Sequence, residues 1–300
     1  MEIDLYGACG DGQIEEGKAF LQNPQTNLNW DEDYYGTTPF YIACYNGHIE
    51  VVELFLNDER VTIDAINQFD YQDGSQRTPF YTACEKGHIG VVKLLLNDQR
   101  VDINKANEYG ETPFYLACYN ENIELMELLL NDKRIDINKA DNYGRTPIDI
   151  ACESGQNEIV KMLSNDERIN VTNEYKSGCE DPRRPFHIAC REGQIDIVKL
   201  LLNDKSLDIN DPSHFGPTPL HVACEEGHTE IVKLLLNDKR IIINEASESG
   251  GEYGVRSLPF HVACYEGHIE IVKLLLNDKR VDIYYTAGKK KFGVLFIFSN

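Results

Sequence analysis

The feature that most constrains this sequence is an Ala-Cys pair that recurs along almost the whole of its 300 residues. The intervals between successive pairs are 35, 40, 34, 34, 38, 34 and 40 residues, a unit near 34 with three insertions. A period of this length is typical of solenoids, in which one short supersecondary unit is stacked many times. The cysteines of these pairs are Cys9, Cys44, Cys84, Cys118, Cys152, Cys190, Cys224 and Cys264. The sequence therefore predicts a repeat protein rather than ordinary globular domains.

Each unit contains two segments with the signals of a short helix. In the fourth unit the first segment begins at Thr112-Pro113, where the Thr oxygen caps free N–H groups and Pro loses no hydrogen bond. A glycine in most units supplies the tight turn that ends this helix. The second segment, from Ile123 to Leu130, has apolar residues at helical spacing, and the following Asn-Asp-Lys-Arg places cations at its negative end. Because one such pair cannot bury its own apolar face, stability must come from stacking.

The repeated unit resembles the ankyrin repeat. The segments Thr218–Cys224, Glu226–His228 and Ile231–Leu236 match its Thr-Pro-Leu-His-x-Ala, Asn-Gly-His and Ile-Val-x-Leu-Leu motifs, and the resemblance covers roughly residues 5 to 283. It implies an all-α ankyrin-repeat solenoid of stacked helix-turn-helix units with β-turn fingers between them. It also implies a curved stack whose fingers and first helices form a concave surface that binds other proteins.

The spacing divides residues 1–283 into eight repeats and leaves residues 284–300 as a basic and apolar C-terminal tail. The predicted repeats span 1–29, 30–66, 67–105, 106–139, 140–173, 174–210, 211–245 and 246–283. The first repeat lacks a finger and a Thr-Pro pair, as expected for an N-terminal cap, whereas no polar cap is evident after the last.

Charge and composition narrow the class of partner. The net charge is −21 and the pI is about 4.7, so nucleic-acid backbones and anionic membrane surfaces would be repelled and a basic protein partner is favoured. The longest apolar run, Phe292–Phe298, has seven residues against the roughly 20 needed to cross a bilayer, so we predict no membrane span. Met1–Asp4 lacks the basic and apolar regions of a secretory signal, and the regularly placed cysteines indicate reduced thiols. We therefore expect a cytoplasmic protein, with export by a different route left open.

The sequence contains few patterns typical of catalytic or metal-binding sites. The sequence has no phosphate-cradling Gly loop, nucleophile elbow or metalloprotease pair, so we predict that the protein is not an enzyme and has no cofactor. Candidate metal ligands occur one helical turn apart in the pairs His187/Cys190, His221/Cys224 and His261/Cys264. Zinc needs about four ligands at one point, and neighbouring pairs stand a repeat apart. We expect these histidines to order the turn by hydrogen bonding, as the resemblance implies.

Aromatic residues recur at two positions that the helices do not need for packing. They are candidates for partner binding, because an aromatic ring on a polar loop gives a large contact area at small entropic cost. The candidates are Tyr35, Tyr109, Tyr143, Phe215 and Tyr253 before the turn glycine of the fingers, Tyr45, Tyr119 and Tyr265 after the recurrent Cys, and Phe69 and Tyr71 on an inserted loop. The alternative, that each ring packs on the next finger, stays open.

Acidic residues such as Glu108 and Glu111 lie among these aromatics. Tyr faces and carboxylates together suit a basic or amphipathic segment through cation–π and charge contacts, although the acidic residues could equally serve solubility. Insertions at 69–76, 175–182 and 247–256 enlarge three fingers. Such insertions are tolerated even when they have no role, so a role in binding stays open.

The leading hypothesis is an interaction scaffold or adaptor, and the alternative is a structural protein. An apolar end that fits the start of another molecule would assemble head to tail into oligomers or filaments. The candidates for such self-assembly are Phe292, Leu295, Phe296, Ile297 and Phe298. Cys179, the one cysteine outside the repeated position, is either an exposed redox-sensitive thiol or without a role.

Overall fold

The computed structural model describes residues 2–30, 36–67, 76–170, 185–205, 207–212, 216–247 and 257–284. These residues form sixteen α-helices in eight consecutive pairs and no β-strand. The first helices are α1 (Glu2–Gly10), α3 (Pro39–Asn46), α5 (Pro79–Glu85), α7 (Pro113–Tyr119), α9 (Pro147–Glu153), α11 (Pro185–Arg191), α13 (Pro219–Glu225) and α15 (Pro259–Tyr265). The second helices are α2 (Ile14–Gln22), α4 (Ile49–Leu56), α6 (Ile89–Asn97), α8 (Ile123–Asn131), α10 (Asn157–Ser164), α12 (Ile195–Leu202), α14 (Thr229–Asn237) and α16 (Ile269–Asn277). The predicted all-α fold of repeated helix pairs is confirmed, while the boundaries between repeats stay predictions.

The Thr-Pro pairs start the first helices by the mechanism that the sequence predicts. Thr38, Thr78 and Thr112 each accept a hydrogen bond at Oγ1 from the backbone N–H three residues on, over 3.2, 3.1 and 3.0 Å. Leu258 replaces Thr before α15 and is fully buried. Its N–H donates to Nδ1 of His261 over 3.4 Å, so this helix begins at the same position without a hydroxyl cap.

A residue in the left-handed conformation ends each first helix. Glycine occupies this position in seven repeats, with φ between 69° and 79°, at Gly12, Gly47, Gly87, Gly155, Gly193, Gly227 and Gly267. In the fourth repeat Glu121 takes it with φ 54°, the one non-glycine with positive φ in the described part of the chain. A side chain in this conformation costs roughly 1–2 kcal/mol, which explains the recurrence of glycine.

The Ala-Cys pairs lie in the core between stacked first helices. All eight of these cysteines are free and buried. Burial raises the pKa of the Cys9 thiol to about 12 and that of Cys264 to about 11, so both stay protonated and unreactive near neutral pH. Cys179 lies outside the described residues.

The chain divides into two compact units, residues 1–147 and 148–300. In the first unit each first helix packs on the next, α1 on α3, α3 on α5 and α5 on α7, and the second helices follow the same order. In the second unit α11 packs on α13 and α13 on α15, with α10, α12, α14 and α16 stacked beside them. The stacking that the repeat period requires is therefore present within each unit.

Candidate partner-binding surface

Two neighbouring fingers of the first unit are built in the same way. Finger 4 (residues 107–111) and finger 5 (residues 141–145) are each closed by a hydrogen bond from the first to the last residue, Asn107 N to Glu111 O and Asp141 N to Arg145 O, both 3.0 Å. The Oδ1 atom of Asn107 accepts from the N–H of Tyr109 and of Glu111, over 3.0 and 2.9 Å. Asp141 does the same in finger 5. A short side chain that accepts from its own loop is a recognised means of fixing a turn.

Fingers 4 and 5 are also joined to each other. The N–H of Asn142 donates to the carbonyl of Tyr109 over 2.8 Å, and its Nδ2 donates to the carbonyl of Glu108 over 2.7 Å. The approach is so close that a Cβ on Gly110 would lie 2.6 Å from Oδ1 of Asn142. The two fingers therefore form one rigid edge.

This edge presents two aromatic side chains. Tyr109 is 40% exposed and Tyr143 is 64% exposed. The guanidinium of Arg145 lies 5.3 Å from the centre of the Tyr143 ring, a cation–π contact made within the finger itself. The backbones of fingers 4 and 5 are hydrogen-bonded to each other, and much of the Tyr109 and Tyr143 side chains remains exposed.

The aromatics that follow the recurrent Cys differ in their surroundings. Tyr119, at the end of α7, is 61% exposed and Tyr265, at the end of α15, is 74% exposed. Tyr45 is only half-exposed, because its ring stacks on Tyr41 with 6.4 Å between centroids and Nζ of Lys86 lies 4.7 Å above it. Tyr45 is therefore less exposed than Tyr119 and Tyr265.

The remaining candidates lie outside the described residues. They are Tyr35, Phe69, Tyr71, Phe215 and Tyr253, together with the tail residues Phe292, Leu295, Phe296, Ile297 and Phe298. In the first unit the described candidates are Tyr45, Tyr109, Tyr119 and Tyr143, of which Tyr45 is the least exposed.

Buried residues on the first helices hold the following finger in place. Tyr115 OH donates to Oδ2 of Asp141 over 3.0 Å, and Tyr81 OH accepts from Nδ2 of Asn107 over 3.1 Å. Burial and the neighbouring Asp141 carboxylate raise the pKa of Tyr115, which keeps it a donor at all moderate pH values. Sequence reasoning missed these positioning contacts. The available signal is the Asn or Asp four residues before the end of fingers 4 and 5, Asn107 and Asp141.

His221 occupies the position of these tyrosines in the second unit. Its Nδ1 accepts from the Thr218 side chain over 2.8 Å and the Thr218 N–H over 3.2 Å, and its Nε2–H donates to the Ser257 carbonyl over 2.9 Å. Ser257 closes a finger by pairing with Ser247. Both ring nitrogens of His221 are thus engaged in hydrogen bonds, in line with the turn-ordering role expected for it. Within the described ranges, no group of three or more His, Cys, Asp or Glu residues is arranged to hold a metal ion.

Acidic residues gather at the ends of two first helices, α13 and α15, in the second unit. Glu225 ends α13 and lies near Glu226 and Glu266. Burial and these two carboxylates raise the pKa of Glu225, while Arg191 opposes the shift. The exposed Tyr265 precedes Glu266 in the chain. Aromatic and acidic groups thus occur together in this unit as well.

Stacked helix pairs joined by hydrogen-bonded fingers define the class of tandem helix-repeat proteins. The family model described as ankyrin repeats (three copies) matches residues 5–107, 99–174 and 176–287. The chain therefore belongs to the ankyrin-repeat family, as its motifs predict. Ankyrin repeats generally mediate protein–protein interactions and are typically non-enzymatic. No curated protein matches this chain. In the described part of the chain, no helix has the length and apolar character that crossing a membrane requires.

Proposed function

We propose that the protein is an interaction scaffold or adaptor that holds a basic or amphipathic segment of another protein. Within the first unit, the binding surface in this proposal comprises fingers 4 and 5 and the exposed end of α7. Its main support is the rigid edge on which Tyr109 and Tyr143 are exposed side by side. A rigid backbone presenting aromatic rings loses little entropy on binding, so these rings are suitable anchors.

The electrostatic setting supports a cationic partner. Glu108 and Glu111 flank Tyr109 in the chain, and the net charge of the protein is −21. Arg145 already lies against the Tyr143 ring, so a cation of the partner would contact the exposed remainder of that ring and the Tyr109 ring. A Lys or Arg side chain of a partner can therefore combine a cation–π contact with attraction to carboxylates.

A peptide array tests the proposal directly. The purified full chain is incubated with an array of random 12-residue peptides, and the affinities of the selected peptides are measured for the variant Tyr109→Ala/Tyr119→Ala/Tyr143→Ala. We expect selected peptides enriched in Lys and Arg, with affinity reduced at least tenfold in the variant. Tyr→Phe at the same three positions keeps the rings and should retain most of the affinity.

A matched control separates binding from folding. Glu124→Ala/Glu127→Ala/Lys133→Ala removes three exposed side chains from α8 and its linker in the same unit, and it should leave the affinity unchanged. Unaltered circular dichroism confirms that both triple variants fold. Selection of neutral or acidic peptides, or equal affinity in the Tyr→Ala variant, would refute the proposal.

Self-assembly through the ends of the stack stays the alternative. Exposed apolar side chains on α16 favour it, because they resemble a repeat interface that lacks a cover. Light scattering from the full chain and from a chain ending at residue 283 distinguishes the two functions. A mass near 34.2 kDa at all concentrations supports the adaptor, whereas a mass that grows with concentration and needs the tail supports assembly.

A further inference from the structure

The last repeat of the described chain exposes side chains that earlier repeats bury. Val262, Val272, Val281 and Ile283 are each partly exposed. The residues at the same positions one repeat earlier are buried, namely Val222, Val232, Ile241 and Ile243. In the earlier repeats the following helix pair covers these positions, so the last repeat carries a packing surface of the same kind.

Larger side chains extend this surface. Ile269 is 66% exposed, Leu276 is 42% exposed and Tyr284 is 82% exposed. We call the surface formed by Val262, Ile269, Val272, Leu276 and Tyr284 the C-terminal face. It lies entirely within the second unit.

A cover for the C-terminal face would also have to supply a hydrogen-bond donor. In the two preceding steps of this unit, an Arg of the following repeat donates to the last leucine carbonyl of the second helix, Arg240 to Leu202 over 3.1 Å and Arg280 to Leu236 over 2.8 Å. The equivalent acceptor in the last repeat is the carbonyl of Leu276. No Arg among the described residues donates to it, so a complementary cover would bring a cation to the end of α16.

We propose that residues 285–300 of the same chain cover the C-terminal face. This segment follows Tyr284 directly and contains Lys289–Lys291 and then the run Phe292–Phe298, in which every residue but Gly293 is large and apolar. The composition matches both requirements of the C-terminal face, because the lysines supply cations for the Leu276 carbonyl and the apolar run covers Ile269 and Val272.

Length and tethering favour this segment over a second molecule. Sixteen residues reach up to about 50 Å when extended, whereas adjacent helix layers are separated by only about 10 Å. A segment tethered to the edge of its own binding surface has an effective concentration in the millimolar range. A second copy of the chain would have to compete with that concentration.

Amide hydrogen exchange of the full chain tests this proposal. We compare peptides covering 257–284 in the unaltered chain, in Leu295→Asp/Phe296→Asp and in the matched control Ser299→Asp/Asn300→Asp, at concentrations where light scattering gives a single 34.2 kDa species. We expect exchange in α15 and α16 to be at least tenfold faster in the first variant and unchanged in the control. Equal exchange in all three chains would overturn the proposal.

A substitution on the C-terminal face tests the same contact without changing the sequence of residues 285–300. Ile269→Asp places a charge at an exposed position of the C-terminal face, so α16 should still fold, and exchange in residues 285–300 should become faster. Ile195→Asp, at the same position of α12, is the control and should leave the tail unaffected. Protection of α15 and α16 that appears only with rising concentration and rising mass would overturn the intramolecular cover and assign the C-terminal face to a second copy.

Discussion

Where the next repeat contains a Gly-His turn, the imidazole of that turn lies against the left-handed glycine of the repeat before it. A Cβ on Gly227 would lie 2.6 Å from the His268 ring, whose Nε2–H donates to the Glu225 carbonyl over 2.8 Å. Gly47 has the same relation to His88. The absence of a side chain thus does two things. It allows the backbone turn, and it admits a hydrogen-bond donor from the following repeat.

This relation predicts that glycines of identical backbone conformation differ in their tolerance of alanine. Gly155 faces Gln194, whose Nε2 would lie 3.4 Å from a Cβ added to the glycine, so Gly155→Ala should cost only the conformational strain of roughly 1–2 kcal/mol. Gly227→Ala should cost roughly 1–2 kcal/mol more, because it also displaces His268 and its hydrogen bond. Urea denaturation of the two variants measures the difference, and equal losses would show that the imidazole contributes nothing.

A second prediction at this scale concerns pH. Burial lowers the pKa of His221 from 6.5 to about 4. Between these values the unfolded chain binds a proton that the folded chain does not, so His221 makes the free energy of unfolding fall as pH decreases from about 6.5 to about 4, by as much as about 3 kcal/mol. His221→Tyr should remove this part of the pH dependence, because Tyr41 and Tyr81 occupy the same position in earlier repeats. Urea denaturation at a series of pH values checks it, and an unchanged slope in the variant would contradict the assignment.

Local spacing predicted the conformation of these residues but not their partners. The Thr caps and left-handed glycines follow from a few neighbouring residues. The acceptor of His268 lies 43 positions earlier in the chain, so it depends on how one repeat stacks on another. Likewise the Asn and Asp residues that shape fingers 4 and 5 were visible in the sequence, but their contacts with Tyr81 and Tyr115 were not.

At the scale of the helix, the Asn-Asp-Lys-Arg linker has a different role from the one its position suggests. The sequence predicts that the Arg complements the end of its own helix. The structure corrects this, because the guanidinium of Arg240 donates to Leu202, Asp204 and Leu207 carbonyls of the preceding repeat, each over 3.1 Å. Asp238 holds the guanidinium in place over 2.8 Å, and that hydrogen bond lowers the pKa of Asp238 to about 2.

Arginine should therefore not be replaceable by lysine here. Lysine lacks the planar fork that serves three carbonyls and a carboxylate at once, so Arg240→Lys should lower the free energy of unfolding by roughly 1–2 kcal/mol. The neighbouring Lys239 is exposed, and Lys239→Arg should have no effect. Thermal and urea unfolding of both variants provide the measurement, and a stable Arg240→Lys chain would mean that charge alone suffices.

Helix order and type were predictable because eight copies of one pattern reinforce each other. A single Thr-Pro pair or one apolar stripe would have been ambiguous. The exposed surface was less predictable, since the same Cys-Tyr sequence gives a half-covered ring at Tyr45 and an exposed one at Tyr119. At Tyr45 the covering groups are the Tyr41 ring and Lys86 of the next repeat.

For the whole molecule, the charge of −21 predicts how association responds to salt. Raising NaCl from about 0.1 M to about 1 M shortens the Debye length from about 10 Å to about 3 Å. The association rate of a Lys- and Arg-rich peptide should then fall at least tenfold, with a smaller change in dissociation. Stopped-flow fluorescence measures both rates, and the same peptide with Gln at each cation is the control. A salt-independent rate for the cationic peptide would contradict electrostatic steering.

The imidazoles of the Gly-His turns and the arginines of the linkers donate backwards along the chain, to carbonyls of the preceding repeat. His228 donates to the Arg191 carbonyl and Arg240 to that of Leu202, so in each step the acceptor belongs to the repeat that a ribosome completes first. When a repeat is synthesised, the carbonyl that accepts from its His or Arg has therefore already been translated. The direction of these bonds suits a protein that folds one repeat at a time during its own synthesis.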